Sequence, residues 1–402
     1  MYIMKNKVST DLIFNKLEKN PFEIFSDDVL NFLDYFSKLL LKGKESRKYP
    51  DLITFGFWIR KRNLLQKKVN YNFDNSFQIG RGIIYNIAPS NVPMNGPFSL
   101  VFSLLSGNNS ILKIPSKKHP QLEIFFEQLE LAIRKFECMN NRIKILNHEK
   151  KFDLVQNIID NVDGIVVWGS DATIQSIEKH SFSTNFKKLY FPNRNSFVLI
   201  SKKSLIGSDL GDINNLSENF YNDTLIMDQN ACSSPRVIFW LDDIDSDSQK
   251  NKFEIKKNDF IASFEKLIKT KYEQNEETIH FKLNQLLKDS GNDDYKVPKN
   301  FSLNFTLIKS NSFDFNKPML NRFGYFYEVN LDEINCLNPF LNKRIQTISY
   351  YGINKDQIDA LLNLKLNKGV DRIVPIGKAI DIDLQWDGID FINELSRKIT
   401  IL

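Results

Sequence analysis

Cys232 is the residue of this chain with the strongest case for nucleophilic chemistry. It lies in the segment Gln229-Asn-Ala-Cys-Ser-Ser-Pro235, between a predicted helix and a predicted strand. Its small neighbours leave room for a substrate beside the sulfur, and nearby backbone N–H groups or a cation would activate the thiol. Taken alone, a cysteine in a loop is more often a small buried hydrophobic residue. Cys138 and Cys336 lack comparable surroundings and are interpreted that way.

Asn91 is a second polar residue placed where chemistry could occur. It lies in Pro89-Ser-Asn-Val-Pro93, directly after the buried run Gly82-Ile-Ile-Tyr-Asn-Ile-Ala88. Ligands of open α/β sheets bind at the carboxyl ends of the strands, and a side-chain amide there can donate a hydrogen bond to an oxyanion. An asparagine between two prolines is also a common turn residue, so both interpretations stay open at this point.

Three further residues lie where a dinucleotide could be held. Lys113 closes a predicted strand at 110–114, and a lysine at that end can reach a cofactor ribose or phosphate. Gly169 and Ser170 form a strand-to-helix turn. A glycine there allows close approach of a pyrophosphate, and the helix N-terminus favours negative charge. Each signal is weak when taken alone. A lysine at the end of a strand often only extends into solvent, and a single Gly-Ser pair occurs in many turns.

The elements that must position these residues alternate between strand and helix. Buried strands are predicted at 82–88, 110–114, 163–168, 188–191 and 196–200, with helices between most of them. This alternation favours an α/β fold in which helices cover both faces of a parallel sheet. Further on, the sequence predicts helices near 212–225, 256–274, 277–289 and from 389, a strand at 236–240, a surface loop at 242–251 and irregular chain at 290–312.

Composition narrows the classes of function. The 402 residues carry 54 basic and 49 acidic side chains that are interspersed, so the net charge of +5 gives no sign of nucleic-acid binding. The three cysteines and four histidines lack disulfide and metal-ligand spacing, which predicts no metal site and a reducing compartment, the cytoplasm. The N-terminus lacks the features of a signal peptide, and no run of 18 apolar residues predicts a membrane span.

The order and spacing of the motifs carry more weight than any single one. Together, over about residues 80 to 390, they resemble the aldehyde dehydrogenase superfamily. The resemblance is closer to its long-chain acyl-CoA reductase family, the fatty-acid reductase subunit of bacterial bioluminescence. The segments that carry it are Ile87-Ala-Pro-Ser-Asn-Val-Pro93, Leu105-Ser-Gly-Asn108, Lys113-Ile-Pro-Ser-Lys117, Asp228-Gln-Asn-Ala-Cys-Ser-Ser-Pro235 and Gly369-Val-Asp-Arg-Ile-Val-Pro-Ile-Gly377.

This resemblance implies an aldehyde dehydrogenase-like α/β fold with two doubly wound parallel-sheet domains. We predict an N-terminal helical segment (1–75), a Rossmann-like NAD(P)-binding domain (76–200) and a catalytic domain that carries the nucleophilic cysteine (201–370). The C-terminal segment (371–402) is predicted to pack back on the core. We also expect the chain to form a homo-oligomer.

The resemblance also implies a role for each motif residue. Cys232 would be the nucleophile, and Asn91 would work with the Cys232 backbone N–H to stabilise the oxyanion. Lys113 would bind a cofactor ribose. Gly169 and Ser170 would form the loop that holds the cofactor.

Two departures from the superfamily pattern bear on the reaction and the cofactor. Phe191 stands where hydrolytic members carry the glutamate that activates water. A phenyl ring cannot act as a base, so the acyl-enzyme would be protected from hydrolysis. Ser116, followed by Lys117 and Lys118, stands where NAD-preferring members often carry a glutamate for the ribose hydroxyls. Serine with lysine can accept a 2′-phosphate, which favours NADPH, with NADH as the alternative.

These inferences predict an enzyme that reduces a long-chain fatty acyl-CoA or another acyl thioester to the aldehyde, through a thioacyl group on Cys232. The donor would be acyl-CoA, an acyl carrier protein or a partner protein, and an acyl-protein synthetase or thioesterase is a candidate partner. Two alternatives stay open. One is an NAD-dependent aldehyde dehydrogenase that forms acids, for which Glu218 is the carboxylate to test. The other is a non-catalytic acyl-binding subunit of a reductase complex.

Overall fold

The chain forms two units, each built around its own sheet. The first unit comprises Met1–Pro192 with Asp383–Leu402, and the second comprises Asn193–Ile382. The computed structural model describes residues 4–5, 10–71, 76–148, 151–244, 246–298, 302–310, 315–316, 319–364 and 369–400.

The strands are numbered along the chain. They are β1 (Met4–Lys5), β2 (Ser76–Gly80), β3 (Ile83–Ile87), β4 (Asn109–Lys113), β5 (Ile143–Asn147), β6 (Gly164–Trp168), β7 (Lys187–Phe191), β8 (Asn195–Ser201), β9 (Val237–Leu241), β10 (Tyr295–Lys296), β11 (Thr306–Ser310), β12 (Tyr325–Leu331), β13 (Ile345–Tyr351), β14 (Arg372–Pro375), β15 (Gln385–Trp386), β16 (Ile389–Asp390) and β17 (Ser396–Thr400).

The α-helices are numbered in the same way. They are α1 (Thr10–Phe14), α2 (Asp27–Lys42), α3 (Pro50–Trp58), α4 (Lys61–Lys68), α5 (Asn95–Leu105), α6 (Pro120–Lys135), α7 (Phe152–Ile159), α8 (Asp171–Ile177), α9 (Lys202–Gly207), α10 (Leu210–Thr224), α11 (Asp247–Lys271), α12 (Glu276–Ser290), α13 (Lys355–Leu362) and α14 (Phe391–Leu395). Short 3-10 helices lie at Ser46–Lys48, Val69–Tyr71, Glu137–Met139, Leu225–Met227 and Ile334–Phe340.

The first unit contains a parallel sheet of six described strands in the order β1-β5-β4-β3-β6-β7. The chain moves outward from β3 through β4 to β5, then returns to the other side of β3 with β6 and β7. The order of the strands therefore reverses between β3 and β6, and crevices at such reversals bind ligands in doubly wound sheets. The residues that follow these two strands include Asn91 and Gly169.

A buried polar cluster fixes α5 on this sheet. The Asn86 side chain on β3 donates to the hydroxyls of Ser103 and Ser110, both at 3.0 Å, and accepts from the Ser99 hydroxyl at 2.5 Å. All four residues are buried, and buried polar groups stabilise a fold only when they are paired in this way. The cluster therefore fixes both ends of the turn that carries Asn91.

The second unit contains a sheet in the order β10-β11-β12-β9-β8-β13-β14, parallel except for the β10–β11 pair. Alternate residues of its central strands enter two separate cores. Phe197, Leu199 and Phe239 pack on one face, whereas Val198 and Trp240 pack on the other. Two covered faces explain why β8 and β9 are continuous apolar runs. The predicted α/β class with two parallel-sheet domains is confirmed.

The structure corrects two boundaries of the predicted domains. The strand predicted at 196–200 is β8, which pairs with β9 and β13 in the second sheet and not with the first. Likewise β14, predicted within the C-terminal segment, pairs with β13 in the second sheet. A buried apolar strand has the same sequence pattern in either sheet, so its pattern does not identify its neighbours.

The N-terminal helical segment packs within the first unit. Helix α2 lies against α3 and α6. Its buried face forms edge-to-face ring contacts from Phe36 to Phe55 at 6.2 Å and to Phe125 at 5.2 Å. At the other end of the chain, β17 pairs antiparallel with β2, so the last described strand returns to the first unit.

Candidate active site

The loop that carries Cys232 has a constrained backbone. It begins at Asp228 and Gln229, which adopt φ values of 53° and 56°, a left-handed conformation that is uncommon for residues other than glycine. The Gln229 side chain is fully buried, where its Nε2 donates to the Pro235 carbonyl at 3.2 Å and its Oε1 accepts from the Gly324 N–H at 2.8 Å. These bonds hold the loop in one shape, as a nucleophile requires.

Cys232 is a half-buried residue in the middle of this loop, next to the amino end of β8 in the second sheet. Its carbonyl accepts from the Ser196 hydroxyl at 2.7 Å. The same hydroxyl accepts from the Thr347 N–H at 3.1 Å, so the first residues of β8 and β13 fix the loop. Small buried residues, Ser233 and Ser234, follow the cysteine, as its sequence context predicts.

A segment that the sequence analysis missed packs against this loop. Arg322 donates to the Asn230 side chain at 3.3 Å, and the buried Asn321 side chain donates to the Arg236 carbonyl at 3.1 Å. Gly324 has φ +84°, and a Cβ there would lie 2.8 Å from a backbone oxygen. The Phe-Gly pair in Asn321-Arg322-Phe-Gly324 was the available signal, since such a glycine marks a tight turn.

In the first unit, Asn91 and Lys113 lie at the carboxyl ends of adjacent strands. The Ala88 N–H donates to the Lys113 carbonyl at 3.1 Å, which joins the end of β3 to the end of β4. Asn91 is exposed, and the His119 ring hydrogen-bonds to the carbonyl of the preceding residue, Ser90, at 3.0 Å. The structure thus brings these two predicted site residues to one edge of the sheet.

Lys113 is a buried cation in the wall of a cavity. The cavity is small, about 70 Å³, opens to solvent and lies between the sheet and helices α7 and α8. Lys113 is 4% exposed, and its Nζ donates to the Ile114 carbonyl at 3.3 Å. The other lining residues are Tyr85, Ile87, Phe152, Val155, Thr173, Ser176, Ile177 and His180.

Aromatic groups form much of this cavity. The Phe152 and His180 rings stack with their centroids 4.1 Å apart and an angle of 18° between planes. Burial lowers the pKa of His180, which favours its neutral ring at neutral pH. The buried Tyr85 hydroxyl hydrogen-bonds to the His148 ring at 3.1 Å. Lys113, the hydroxyls of Thr173 and Ser176 and the stacked rings of Phe152 and His180 are compatible with the chemistry of a nucleoside and its ribose.

Gly169 and Ser170 lie directly before α8, as predicted, and both have structural roles there. The Ser170 hydroxyl caps the helix by accepting from the Thr173 N–H at 3.3 Å. A Cβ at Gly169 would lie 2.9 Å from the Thr173 methyl group, so glycine is needed for this packing. The helix has seven residues and begins with Asp171. Their predicted role in binding a cofactor remains a prediction.

Ser116 and Lys117 lie on the exposed loop that follows β4. Both side chains are open to solvent, three and four residues after Lys113. Their positions are compatible with contacting a ligand of the cavity that Lys113 lines, and their predicted contact with a cofactor stays a prediction.

Comparison with known families gives a match over most of the chain. Residues 60–398 match the family model described as acyl-CoA reductase (LuxC). The chain belongs to this family. The resemblance drawn from the sequence motifs is therefore confirmed at the level of the family.

Curated relatives of this LuxC-family chain carry one description. The long-chain acyl-protein thioester reductase of Vibrio harveyi is 23% identical over 304 residues, 74% of this chain and 59% of the relative. The protein of that name from Aliivibrio fischeri is 24% identical over 303 residues, 74% of this chain and 58% of the relative. The chain thus spans about three fifths of the length of these relatives.

Solved structures similar to this chain are aldehyde dehydrogenases. The succinic semialdehyde dehydrogenase of Streptococcus pyogenes, in complex with NADP+, is 15% identical with a TM-score of 0.59, covering 93% of this chain and 88% of that one. The Thermus 1-pyrroline-5-carboxylate dehydrogenase with bound NAD is 10% identical with a TM-score of 0.63, covering 92% and 80%. At these identities the likeness concerns the fold, which is the predicted aldehyde dehydrogenase-like one.

The structure changes the interpretation of Phe191 in this LuxC-family chain. Phe191 is 4% exposed and lies at the end of β7. Its ring stacks on Trp168, with centroids 4.0 Å apart, and on Phe391, with centroids 5.3 Å apart. Phe191 is therefore a core residue of the first unit in addition to standing where hydrolytic members carry a base. Its effect on hydrolysis remains a prediction.

Glu218, the carboxylate named as a candidate base for the acid-forming alternative, lies on an exposed face of α10. It forms an ion pair with Lys271, and its side chain is 52% exposed. Such a pair on a solvated helix face is typical of surface charge, and this environment gives no reason for a basic role.

The described residues add no further reactive centre. Cys138 is exposed as a residue, but partial desolvation of its thiol and the charge of Asp28 raise the pKa of that thiol, which opposes nucleophilic use. Cys336 packs against the core of the second unit. Within the described residues, no group of three or more His, Cys, Asp or Glu side chains could hold a metal ion. None of the described helices is long and apolar enough to cross a membrane.

Proposed function

We propose that this chain reduces an acyl thioester to an aldehyde and carries the acyl group on Cys232 during the reaction. The observation that carries the proposal is a half-buried thiol on a loop fixed by buried hydrogen bonds, in a chain of the LuxC family. The names of the two relatives above, long-chain acyl-protein thioester reductases, support a thioester as substrate.

The chemistry of the first step uses groups of this chain. The Cys232 thiolate attacks the acyl carbonyl, a new carbon–sulfur bond forms, and the carrier thiol leaves with its sulfur electron pair and takes up a proton. The Cys232 backbone N–H donates to the oxyanion, and the family resemblance assigns the second donor to Asn91. One such donor typically contributes about 3 kcal/mol to stabilising the transition state.

We propose the cavity lined by Lys113 as the site of a nicotinamide cofactor. Lys113 and the hydroxyls of Thr173 and Ser176 would hold a ribose, and the stacked rings of Phe152 and His180 would face a flat base. Gly169 and Ser170 would lie beside the phosphates. When bound, the cofactor supplies the hydride that reduces the acyl carbon. The first unit would thus bind the cofactor and the second would carry the nucleophile.

NADPH is the proposed form of the cofactor, because the loop after Lys113 carries Ser116 and Lys117, both exposed. We predict that Ser116→Glu lowers the ratio of kcat/KM for NADPH to that for NADH by about tenfold or more, which corresponds to about 1.4 kcal/mol. The physical reason is repulsion between the new carboxylate and the 2′-phosphate.

Steady-state kinetics with both cofactors measure this ratio, and Ser116→Gln is the matched neutral control. Ser116→Gln should keep the wild-type preference, since it changes size without adding charge. An unchanged ratio in Ser116→Glu, or a wild-type preference for NADH, would contradict the assignment.

Several finer points belong to the same proposal. The acyl donor is a long-chain acyl-CoA, an acyl carrier protein or another acyl-protein, and an acyl-protein synthetase or thioesterase would deliver the acyl group. We further propose that the chain works in the cytoplasm as a homo-oligomer.

Intact-mass spectrometry tests the proposed function. The protein is mixed with acyl-CoAs of increasing length, and we expect an added acyl mass that peptide mapping places on Cys232. Addition of NADPH should remove the mass and release aldehyde. Release of free acid without NADPH would instead favour the acid-forming dehydrogenase. No adduct with any acyl-CoA or acyl-protein donor would favour a non-catalytic binding subunit.

A further inference from the structure

Arg236 closes the loop that carries Cys232. Its Nη2 donates to the Gln229 carbonyl at 2.8 Å, so the guanidinium connects the end of the loop to its start. Its backbone N–H donates to the Ser196 carbonyl at 3.0 Å, on the same residue whose hydroxyl bonds to the Cys232 carbonyl. The positive charge is therefore fixed where the two ends of the loop meet. Cys232 lies between Gln229 and Arg236 in the sequence.

This guanidinium is buried without a full set of partners. Arg236 is 7% exposed, and its Nε donates to the Met319 carbonyl at 3.3 Å. Its Nη1 is buried and has no hydrogen-bond partner among the described residues. An unpaired N–H on a buried cation is costly for folding, and a group that opposes stability in this way is a candidate for a role in function.

The charges around Arg236 have opposite effects on it. Burial lowers the pKa of Arg236 to about 10, the charge of Cys232 raises it, and the nearby Arg322 lowers it. Electrostatic coupling is mutual, so the positive charge of Arg236 also favours the thiolate form of Cys232. The other charged group of the loop, Asp228, accepts a hydrogen bond from the Tyr272 hydroxyl.

We propose that Arg236 is a positioning residue that keeps Cys232 ionised as a thiolate at neutral pH, through its fixed and buried positive charge. The inference rests on the proposed function, in which Cys232 is the reacting thiol. Arg322 adds a second positive charge to the same loop by bonding to Asn230. A thiolate is the reactive form of cysteine, so this pair sets how much of the enzyme is competent for attack.

The test follows alkylation of Cys232 by iodoacetamide, a neutral reagent, between about pH 5 and pH 10, with the Cys232 peptide quantified by mass spectrometry. In the wild-type chain the rate should inflect well below about 8.5, the ordinary value for a free thiol. Arg236→Gln should raise the inflection by about one unit or more and slow alkylation at pH 7 by about tenfold. Arg236→Lys keeps a positive charge and should restore most of the shift.

Ser196→Ala is the matched control, because it removes the bond to the Cys232 carbonyl and leaves every charge in place. Its inflection should equal that of the wild type, while its melting temperature falls. An equal inflection in Arg236→Gln and wild type would overturn the proposal. If Arg236→Gln does not fold, the wild-type profile decides, since an inflection at or above about 8.5 also overturns it.

Alkylation needs no acyl substrate, so this experiment separates the two proposals. A low inflection that depends on Arg236, found together with no acyl adduct, would leave the Arg–thiol pair standing and remove the proposed reaction. An acyl adduct on Cys232 with an ordinary inflection would do the reverse.

Discussion

Replacing Cys232 with alanine should lower aldehyde formation from an acyl thioester by about 10⁴-fold or more, since the hydroxyls of the neighbouring Ser233 and Ser234 are much poorer nucleophiles than a thiolate. The substitution removes one half-buried sulfur atom from a loop held mainly by Gln229 and Ser196, so the fold should persist. Turnover is measured as oxidation of NADPH together with release of aldehyde at saturating acyl-CoA. Thermal unfolding on the same samples reports the fold.

The other two cysteines provide matched controls within the same chain. Cys138→Ala and Cys336→Ala each remove one thiol outside the loop, and both should keep turnover within about twofold of the wild type. Cys232→Ser tests the chemistry more narrowly, because a hydroxyl is a much poorer nucleophile at neutral pH. If Cys232→Ala retained a tenth of wild-type turnover while Cys138→Ala lost it, the assigned nucleophile would be wrong.

The sequence predicts the central strands of the first sheet well because these strands are buried on both faces, whereas β5 was not predicted. The run predicted at 82–88 is β3 (Ile83–Ile87), and the run at 163–168 is β6 (Gly164–Trp168). Both runs are mostly apolar, apart from Asn86 and Asp163, and end at Pro89 or Gly169. In such a run the burial on two faces and the chain breakers fix the ends of the strand within a residue or two.

Strands β11 and β12 of the second sheet are less predictable because polar residues interrupt them. β12 (Tyr325–Leu331) contains Glu328, whose carboxylate accepts from the Trp240 indole N–H at 2.7 Å and pairs with Lys257 at 2.6 Å. In the sequence, a carboxylate within a strand predicts a solvent-exposed position. Here its partners lie on β9 and α11, which are distant in the sequence. The same difficulty hides β11 in the region 290–312, which was predicted to be irregular.

Long helices also begin where the sequence suggests a loop. The polar stretch predicted as a surface loop at 242–251 contains the start of α11 at Asp247. The Ser246 hydroxyl accepts from the Gln249 N–H at 3.3 Å and caps this helix. Charge density alone therefore misplaced the boundary, although the capping residue was visible in the sequence.

The candidate site was predicted where its residues carry a local signature and was missed where they do not. Cys232, Asn91 and Lys113 each stand beside a turn or a strand end that the sequence marks. Arg236 and Asn321 bond mainly to backbone carbonyls, some of them more than eighty residues away. Such partners leave no trace in local patterns, so only the folded chain reveals the support around the thiol.

Phe191→Glu should destabilise the first unit by about 4 kcal/mol and should not create a hydrolytic enzyme. The Phe191 ring is packed between Trp168 and Phe391, and the new carboxylate would lose those contacts in an apolar stack. Phe191→Leu is the control without charge and should cost about 1–2 kcal/mol. Unfolding in denaturant at neutral pH measures both.

The pH dependence of stability in the same two variants separates the effect of the new charge from the effect of the changed side-chain size. A carboxyl group in this stack favours its protonated form, so the folded state would bind more protons than the unfolded state. The stability of Phe191→Glu should therefore fall as the pH rises from about 4 to 7, whereas the deficit of Phe191→Leu should stay constant. A Phe191→Glu variant that keeps wild-type stability and converts the acyl-enzyme to free acid would contradict both predictions. Its carboxylate would then reach water beside the thioester, and Phe191 would be a residue of the site as well as of the core.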